Sequence, residues 1–244
     1  MSARILIVLW FATLGHLDRA AAVEFGEVEI AGKRATICRV NVRKEPLQLF
    51  LRDAAGQPLK SFAALERFLQ PQKKKLVFAM NAGMYHRDFS PVGLFVSGGH
   101  QLAPLNTAGG DGNFFLKPNG VFVVTETGAR VIESSEYPRL RERVLLATQS
   151  GPLLLRAGRM HPAFQAASES RLFRNGVGVP SPDLAVFAIT EVPVNFYEFA
   201  LLFRDVLRCP DALFFDGTIS GLHSTYLKRS DQKIDLGPII GIVE

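Results

Sequence analysis

The sequence lacks the marks of several common protein classes. Its 244 residues include only two cysteines and one tryptophan. Neither Cys38 nor Cys209 has a neighbour at the spacing of a zinc ligand set or a redox pair. No two histidines stand at a helical metal-ligand spacing, and no Gly-x-x-x-x-Gly-Lys loop is present to cradle phosphates. A Gly-x-Ser-x-Gly nucleophile elbow is missing too: in Gly217-Thr218-Ile219-Ser220-Gly221 the serine falls one place late. No basic stripe is interleaved with aromatics, which argues against a nucleic-acid module. No long stretch is both polar and poor in apolar residues, which argues against disorder. There is no internal repeat or linker after residue 23, and no later apolar run long enough to span a bilayer.

What is present describes one folded domain. Hydrophobic residues make up 48% and charged residues 21%, enough for a real core at this length. The 21 glycines and 14 prolines punctuate many short apolar runs, a pattern of strands and turns rather than a helical bundle. The expected class is α+β or mixed α/β: a strand-rich single domain, residues 23–244, with a few packed helices.

Residues 1–22 read as an export signal. Arg4 supplies the positive start, Ile5 to Leu14 an apolar stretch too short to cross a bilayer, and Ala20-Ala21-Ala22 a small-residue cleavage point. A first buried strand or a retained anchor is the alternative. Export implies a periplasmic or secreted protein with no stable membrane span after signal removal. It also leaves two readings of the cysteines, one long-range disulfide or two buried thiols. The net charge of +5 falls to +4 when two arginines and one aspartate leave with the signal. That balance suits an anionic ligand or envelope surface, and equally ordinary solubility.

Strands are expected at Val23–Ile30, Arg34–Val42, Leu47–Leu51, Leu76–Met80, Gly93–Val96, Asn113–Leu116, Val121–Thr125, Ala129–Ile132, Val144–Ala147, Leu153–Leu155, Gly176–Val179, Leu184–Ile189 and Leu213–Phe215. Gly98-Gly99 and Glu126-Thr127-Gly128 suit hairpin turns. Ser61 is placed to cap a short helix bearing Phe62, Leu65, Phe68 and Leu69 on one face. Asn195, with Glu198 three residues on, starts a stronger helix over Phe196–Leu207 that feeds the last of these strands.

Polar residues gather where the apolar runs stop. Asn81 follows Leu76–Met80, Ser150 and Gly151 follow Val144–Ala147, Arg171, Arg174 and Asn175 precede Gly176–Val179, and Asp216 and Gly217 close Ala212–Phe215. Strand ends are where ligands collect, because loops there carry no ladder bonds. Each residue also has a plainer reading as a turn cap, a hairpin or a surface ion pair.

Taken together and in order, "FAMNAGMYHRDFSPVGLFV", "GNFFLKPNGVF", "ATQSGPLLL", "SRLFRNGVGV" and "ALFFDGTISGLHS" resemble the motifs of the phosphodiester glycosidase family. The resemblance spans roughly residues 76–243 and is strongest to its short, single-domain bacterial branch. Other members often carry Asp-Gly-Gly-Ser where this chain has Asp216-Gly217-Thr218-Ile219-Ser220, and Asn-Gly-Gly-Tyr-Phe where it has Asn81-Ala82-Gly83-Met84-Tyr85.

The resemblance implies a hydrolase acting on a sugar joined through its anomeric carbon to a phosphodiester. Such chemistry builds positive charge on the ring and needs a carboxylate, with Asp216 as the candidate nucleophile or base. The departing phosphate needs its charge held by a guanidinium, Arg171 first and Arg174 second. Gly217 lets substrate approach the backbone, and Thr218, Ser220 and Ser224 offer hydroxyls beside it. Asn81 joins the catalytic set, and Asn175, Ser150, Gly151, Ser220, His86 and His223 the substrate-binding set. The two histidines can shuttle a proton or simply sit at the surface. No cofactor is expected. Asp111, in a glycine-rich turn, leaves a divalent cation open but is a single acid. The partner is then a small molecule or glycan carrying phosphate, and no nucleic acid. The alternative is a non-catalytic envelope protein binding phosphorylated glycans, with a purely structural domain behind it.

Overall fold

The computed structural model describes residues 22–244. The expected signal at 1–22 lies outside the described residues apart from Ala22. Among the described residues no helix is long and apolar enough to cross a membrane.

Three antiparallel sheets make the body. The first runs Val23–Ile30, Lys33–Asn41, Leu184–Thr190, Asn175–Ser181, Asp211–Asp216, Leu153–Arg156, Arg159–Met160. The second runs Arg229–Asp231, Leu222–Ser224, Leu76–Asn81, Ile239–Val243, Gln48–Phe50. The third runs His100–Ala103, Phe95–Ser97, Val144–Ser150, Gly120–Thr125, Gly128–Glu133. The protein is therefore mostly sheet rather than a balanced α+β fold.

Period-two alternation explains how the sheets stack. On the first sheet Cys38, Val40, Ala185, Phe187, Leu213 and Phe215 face one way. They meet Phe78, Met80 and Ile240 of the second sheet and Phe95, Phe122 and Leu146 of the third. Ala35, Ile37, Val186, Ala188, Ala212 and Phe214 face the other way, onto Phe199, Leu202 and Phe203. Residues at the centre are apolar on both faces, which is why so many strands read as continuous hydrophobic runs.

The helix that covers the outer face starts as its sequence predicts. Asn195 accepts from Glu198 N, and the Glu198 carboxylate accepts in turn from Asn195 N. It is α-helical over Phe196–Leu201 and then widens into a π turn over Leu202–Val206. It links Leu184–Thr190 to Asp211–Asp216, two strands that flank Asn175–Ser181 and are both antiparallel to it. They are thus parallel to each other, and the connection is a true crossover. The shorter helix, Phe62–Leu69, is capped by Ser61 and seals the outside of the second sheet through Phe62, Leu65 and Leu69.

Several expectations need correction. Asn113–Phe115 is a 3-10 turn, not a strand: Gly112 precedes it with φ +91, and Phe114 is buried with its carbonyl taken by the Asn119 amide. Five further strands, His100–Ala103, Arg159–Met160, Leu222–Ser224, Arg229–Asp231 and Ile239–Val243, have little or no alternation to announce them. Of the two open readings of Cys38 and Cys209, the buried free thiols are what the structure has. One belongs to the inner core and the other to the helix side, so the sheet separates them. Burial pushes the Cys209 thiol up to about 12 and raises that of Cys38 as well.

Helix and sheet approach closely at Gly178, where a Cβ would sit 2.6 Å from Cys209 Sγ and from Phe203 Cδ1. Gly178→Ala should cost about 1–3 kcal/mol by overpacking. A thermal unfolding midpoint unchanged from the unmodified protein would show that the helix lifts freely.

Candidate active site

All three sheets send a strand end to one place. Asn81 ends Leu76–Asn81 in the second sheet, Ser150 ends Val144–Ser150 in the third, and Asp216 stands opposite Asn175 in the first. The ends are tied by side chains. Asn175 Nδ2 donates to the Asn81 carbonyl and to Asn81 Oδ1, both at 2.9 Å, and Asn81 Nδ2 donates back to Asn175 Oδ1 at 3.3 Å. Ser150 Oγ donates to Phe215 O at 2.9 Å, and Thr148 Oγ1 to Ala82 O at 2.5 Å. Asn81, Asn175, Ser150 and Thr148 are all buried.

The amide pair also fixes the loop that follows Asp216. Asn175 Oδ1 accepts from Asp216 N at 3.2 Å, and Asn81 Oδ1 from Gly221 N at 2.9 Å. Ser220 Oγ donates to Phe173 O at 3.0 Å. The carboxylate itself organises the turn: Asp216 Oδ1 accepts from the N–H groups of Gly217, Thr218 and Ile219 at 2.6, 2.9 and 3.1 Å. Its Oδ2 has no such partner among the described residues, so one oxygen is held and the other is free. Burial raises the Asp216 pKa above the ordinary 3.8, against the pull of the three N–H groups.

The two arginines differ sharply. Arg171 is at the surface, with Nη1 2.6 Å from Glu198 Oε2, and Glu198 also binds Lys33. Arg174 is fully buried and has no carboxylate partner among the described residues. Its Nε donates to Val194 O at 2.8 Å and its Nη2 to Ser170 O at 2.9 Å. Nη1 is buried without a hydrogen bond and lies 3.3 Å from where a Cβ on Gly217 would stand. Burial lowers the Arg174 pKa to about 10, which leaves it charged at neutral pH. A buried charge with no counter-charge is costly and is a strong pointer to an anionic ligand.

The other expected residues fall around this centre. Gly151 is buried behind it, where a Cβ would press 2.7 Å from Asn119 Cβ and Phe114 O. Ser224 is buried in its strand and accepts from Leu227 N. His223 is buried, with Nδ1 3.2 Å from Ser230 Oγ and Nε2 3.8 Å from Glu66 Oε1. His86 is exposed in a turn closed by Ser90. Asp111 is exposed, and among the described residues no three His, Cys, Asp or Glu side chains cluster to hold a metal.

Sequence reasoning passed over Tyr85. Its ring stacks on Phe89 and its hydroxyl donates to Asp235 O. Burial, followed by the nearby Asp216 and Asp235 charges, pushes that hydroxyl up to about 12, so it stays protonated beside Asp216. The signal was an aromatic residue within the polar run after Asn81. A hollow of about 440 Å³ borders the loop, lined by Phe173, Thr218, Ile219, Ser220, Arg229 and Lys233 among others. A larger groove of about 990 Å³, over Leu47, Phe50, Phe95 and Leu145, includes none of the site residues.

Residues 74–231 match the phosphodiester glycosidase family, and the chain belongs to that family of hydrolases. It is 33% identical over 184 residues to the uncharacterized protein YigE of Escherichia coli K12, covering 75% of this chain and 72% of that one. Its fold is similar to the catalytic domain of zebrafish N-acetylglucosamine-1-phosphodiester alpha-N-acetylglucosaminidase, auto-inhibited by its pro-peptide. The TM-score is 0.63 at 13% identity, covering 92% of this chain and 84% of that domain. A hypothetical protein from Synechocystis matches with TM-score 0.54 and 15% identity, covering 91% of this chain and 61% of that one.

The raised Asp216 pKa carries a sign. The fold holds the proton more tightly than the unfolded chain does. The stability from this group is therefore complete below pH 3.8 and lost as pH rises through the folded value. Asp216→Asn keeps an acceptor oxygen and never ionises. It should unfold at a higher temperature than the unmodified protein near neutral pH, and the gap should close below pH 3.8. A less stable variant at neutral pH would mean that the fold favours the carboxylate.

Proposed function

We propose that the protein hydrolyses a glycosyl-1-phosphodiester, with Asp216 as the reacting carboxylate and Arg174 as the cation that holds the phosphate. The observation that supports this most is a half-free carboxylate and a buried guanidinium that lacks a carboxylate partner among the described residues, both against Gly217. Cleavage breaks the bond from the anomeric carbon to the phosphate oxygen. Water's oxygen ends on the sugar, and the phosphate leaves as a monoester that needs charge neutralisation more than a proton. Asp216 Oδ2 either attacks the anomeric carbon or takes the proton of the attacking water. Arg174 stabilises the leaving phosphate from beneath the loop through its uncompensated charge.

Arg171, already neutralised by Glu198, is the weaker phosphate holder. Asn81 and Asn175 act by fixing the loop, since their amides are bound to each other and to main-chain N–H groups. Ser150 supports the strand that ends in Asp216 through its bond to Phe215 O, and Gly151 packs behind it. Tyr85, protonated beside Asp216 and already donating to Asp235 O, offers a ligand its ring face and an acceptor oxygen rather than a proton. The leader-like features at Arg4, Ile5–Leu14 and Ala20–Ala22 favour action in the cell envelope or outside the cell.

A second reading has one observation in its favour. Three backbone N–H groups on Asp216 Oδ1 are also what a purely loop-holding aspartate would accept, as in a protein that binds phosphorylated glycans without cleaving them. A panel of sugar-1-phosphodiesters in water enriched in heavy oxygen separates the two. The expected result is turnover with the label on the sugar. Asp216→Asn and Arg174→Gln should each lose at least about a hundredfold in kcat/KM, and Arg171→Gln far less. Label on phosphate would overturn the bond assignment, and no turnover by the unmodified protein would favour the binding reading.

A further inference from the structure

Arg174 is the end of a four-membered stack. Its Cζ lies 3.7 Å from the centroid of the Phe196 ring. Phe196 is stacked on Phe164 at 4.9 Å, with planes 7° apart, and Phe164 on His161 at 4.8 Å. Phe214 meets Phe196 edge-on at 4.8 Å and limits its tilt. The segment bearing His161 and Phe164 is pinned to the helix start, because Asn195 Nδ2 donates to Ala166 O at 3.0 Å and to Ser168 O at 3.1 Å.

A guanidinium is planar and delocalised, so an aromatic face fixes its plane and attracts its charge, most strongly away from water. Two carbonyls, from Val194 and Ser170, fix its rotation within that plane. Only Nη1, beneath Gly217, is left over. Loss of the ring would free the plane to tilt and turn Nη1 away from the loop.

Resting on the reading that Arg174 holds the phosphate, we propose that Phe196, backed by Phe164, is a positioning residue that sets the guanidinium plane and thereby the affinity of the site for a phosphate oxyanion. The ring itself does not touch substrate. A merely structural Phe196 would change the unfolding temperature and leave anion affinity alone.

The test is calorimetric titration of inorganic phosphate into the full chain at constant ionic strength, beside a thermal unfolding scan. Phe196→Leu should weaken phosphate binding roughly tenfold, the scale of a desolvated cation–π contact. Phe196→Tyr keeps the aromatic face and should stay within about twofold. In an Arg174→Gln background Phe196→Leu should add nothing, since the two changes remove one interaction. Should Phe196→Leu not fold, Phe164→Leu takes its place, with a weakening of about threefold expected. Unchanged phosphate affinity in the folded leucine variant, or an equal loss in the Arg174→Gln background, overturns the positioning role while the functional reading stands. Phosphate binding that survives Arg174→Gln, or none by the unmodified protein, removes the functional reading and this inference with it.

Discussion

The reciprocal amide pair of Asn81 and Asn175 is the contact on which the site depends. Two primary amides can satisfy each other only when their backbones meet at one distance and angle. Here they bring the end of a strand in one sheet to the start of a strand in another. Both are buried, where an unmet amide is costly, so the pair is a constraint rather than an ornament. Their remaining acceptor capacity holds Asp216 N and Gly221 N, the two ends of the loop. The carboxylate is therefore located by the packing of sheets, and its position does not rely on the loop alone.

Much of the fold could be read from periodicity. Both helix starts were legible because capping has a local signature: Ser61 before Phe62, and Asn195 with Glu198 before an apolar face. Strands with alternation, such as Val23–Ile30, or an apolar run, such as Leu184–Thr190, were equally plain. The short strands around the site were not. Leu222–Ser224 and Arg229–Asp231 are three residues each, and their pairing with Leu76–Asn81 and with each other is a tertiary fact. The cysteines stayed open between two readings for the same reason, since no sequence pattern says which face of a sheet a residue meets when its partner element is unknown.

The site shows the same division. Polar residues at strand ends pointed to Asn81, Asn175, Ser150 and Asp216, and the structure joins all four. The contrast in surroundings between Arg171 and Arg174 was invisible. Three residues apart in one segment, they differ only in what surrounds them: one meets Glu198, the other two carbonyls and an aromatic face. Tyr85 was passed over because its neighbours, Asp216 and Asp235, come from more than a hundred residues away.

The replacement of a second glycine by Thr218 looks from the sequence like a stiffening of the loop. The geometry shows that the change costs no backbone strain. Thr218 is not among the described residues with positive φ, so a side chain there meets no backbone strain. Its N–H is held at 2.9 Å by Asp216 Oδ1 whatever its side chain. Gly217 is not at positive φ either, yet a Cβ on it would come within 3.1–3.3 Å of Leu172, Phe214 and Arg174 Nη1. A Cβ at 217 would thus crowd Leu172, Phe214 and the buried cation, whereas the next position is free to vary. Thr218 is exposed on the rim of the 440 Å³ hollow with its hydroxyl unbonded among the described residues, so variation there changes what the loop presents to a ligand and leaves the carboxylate where it is.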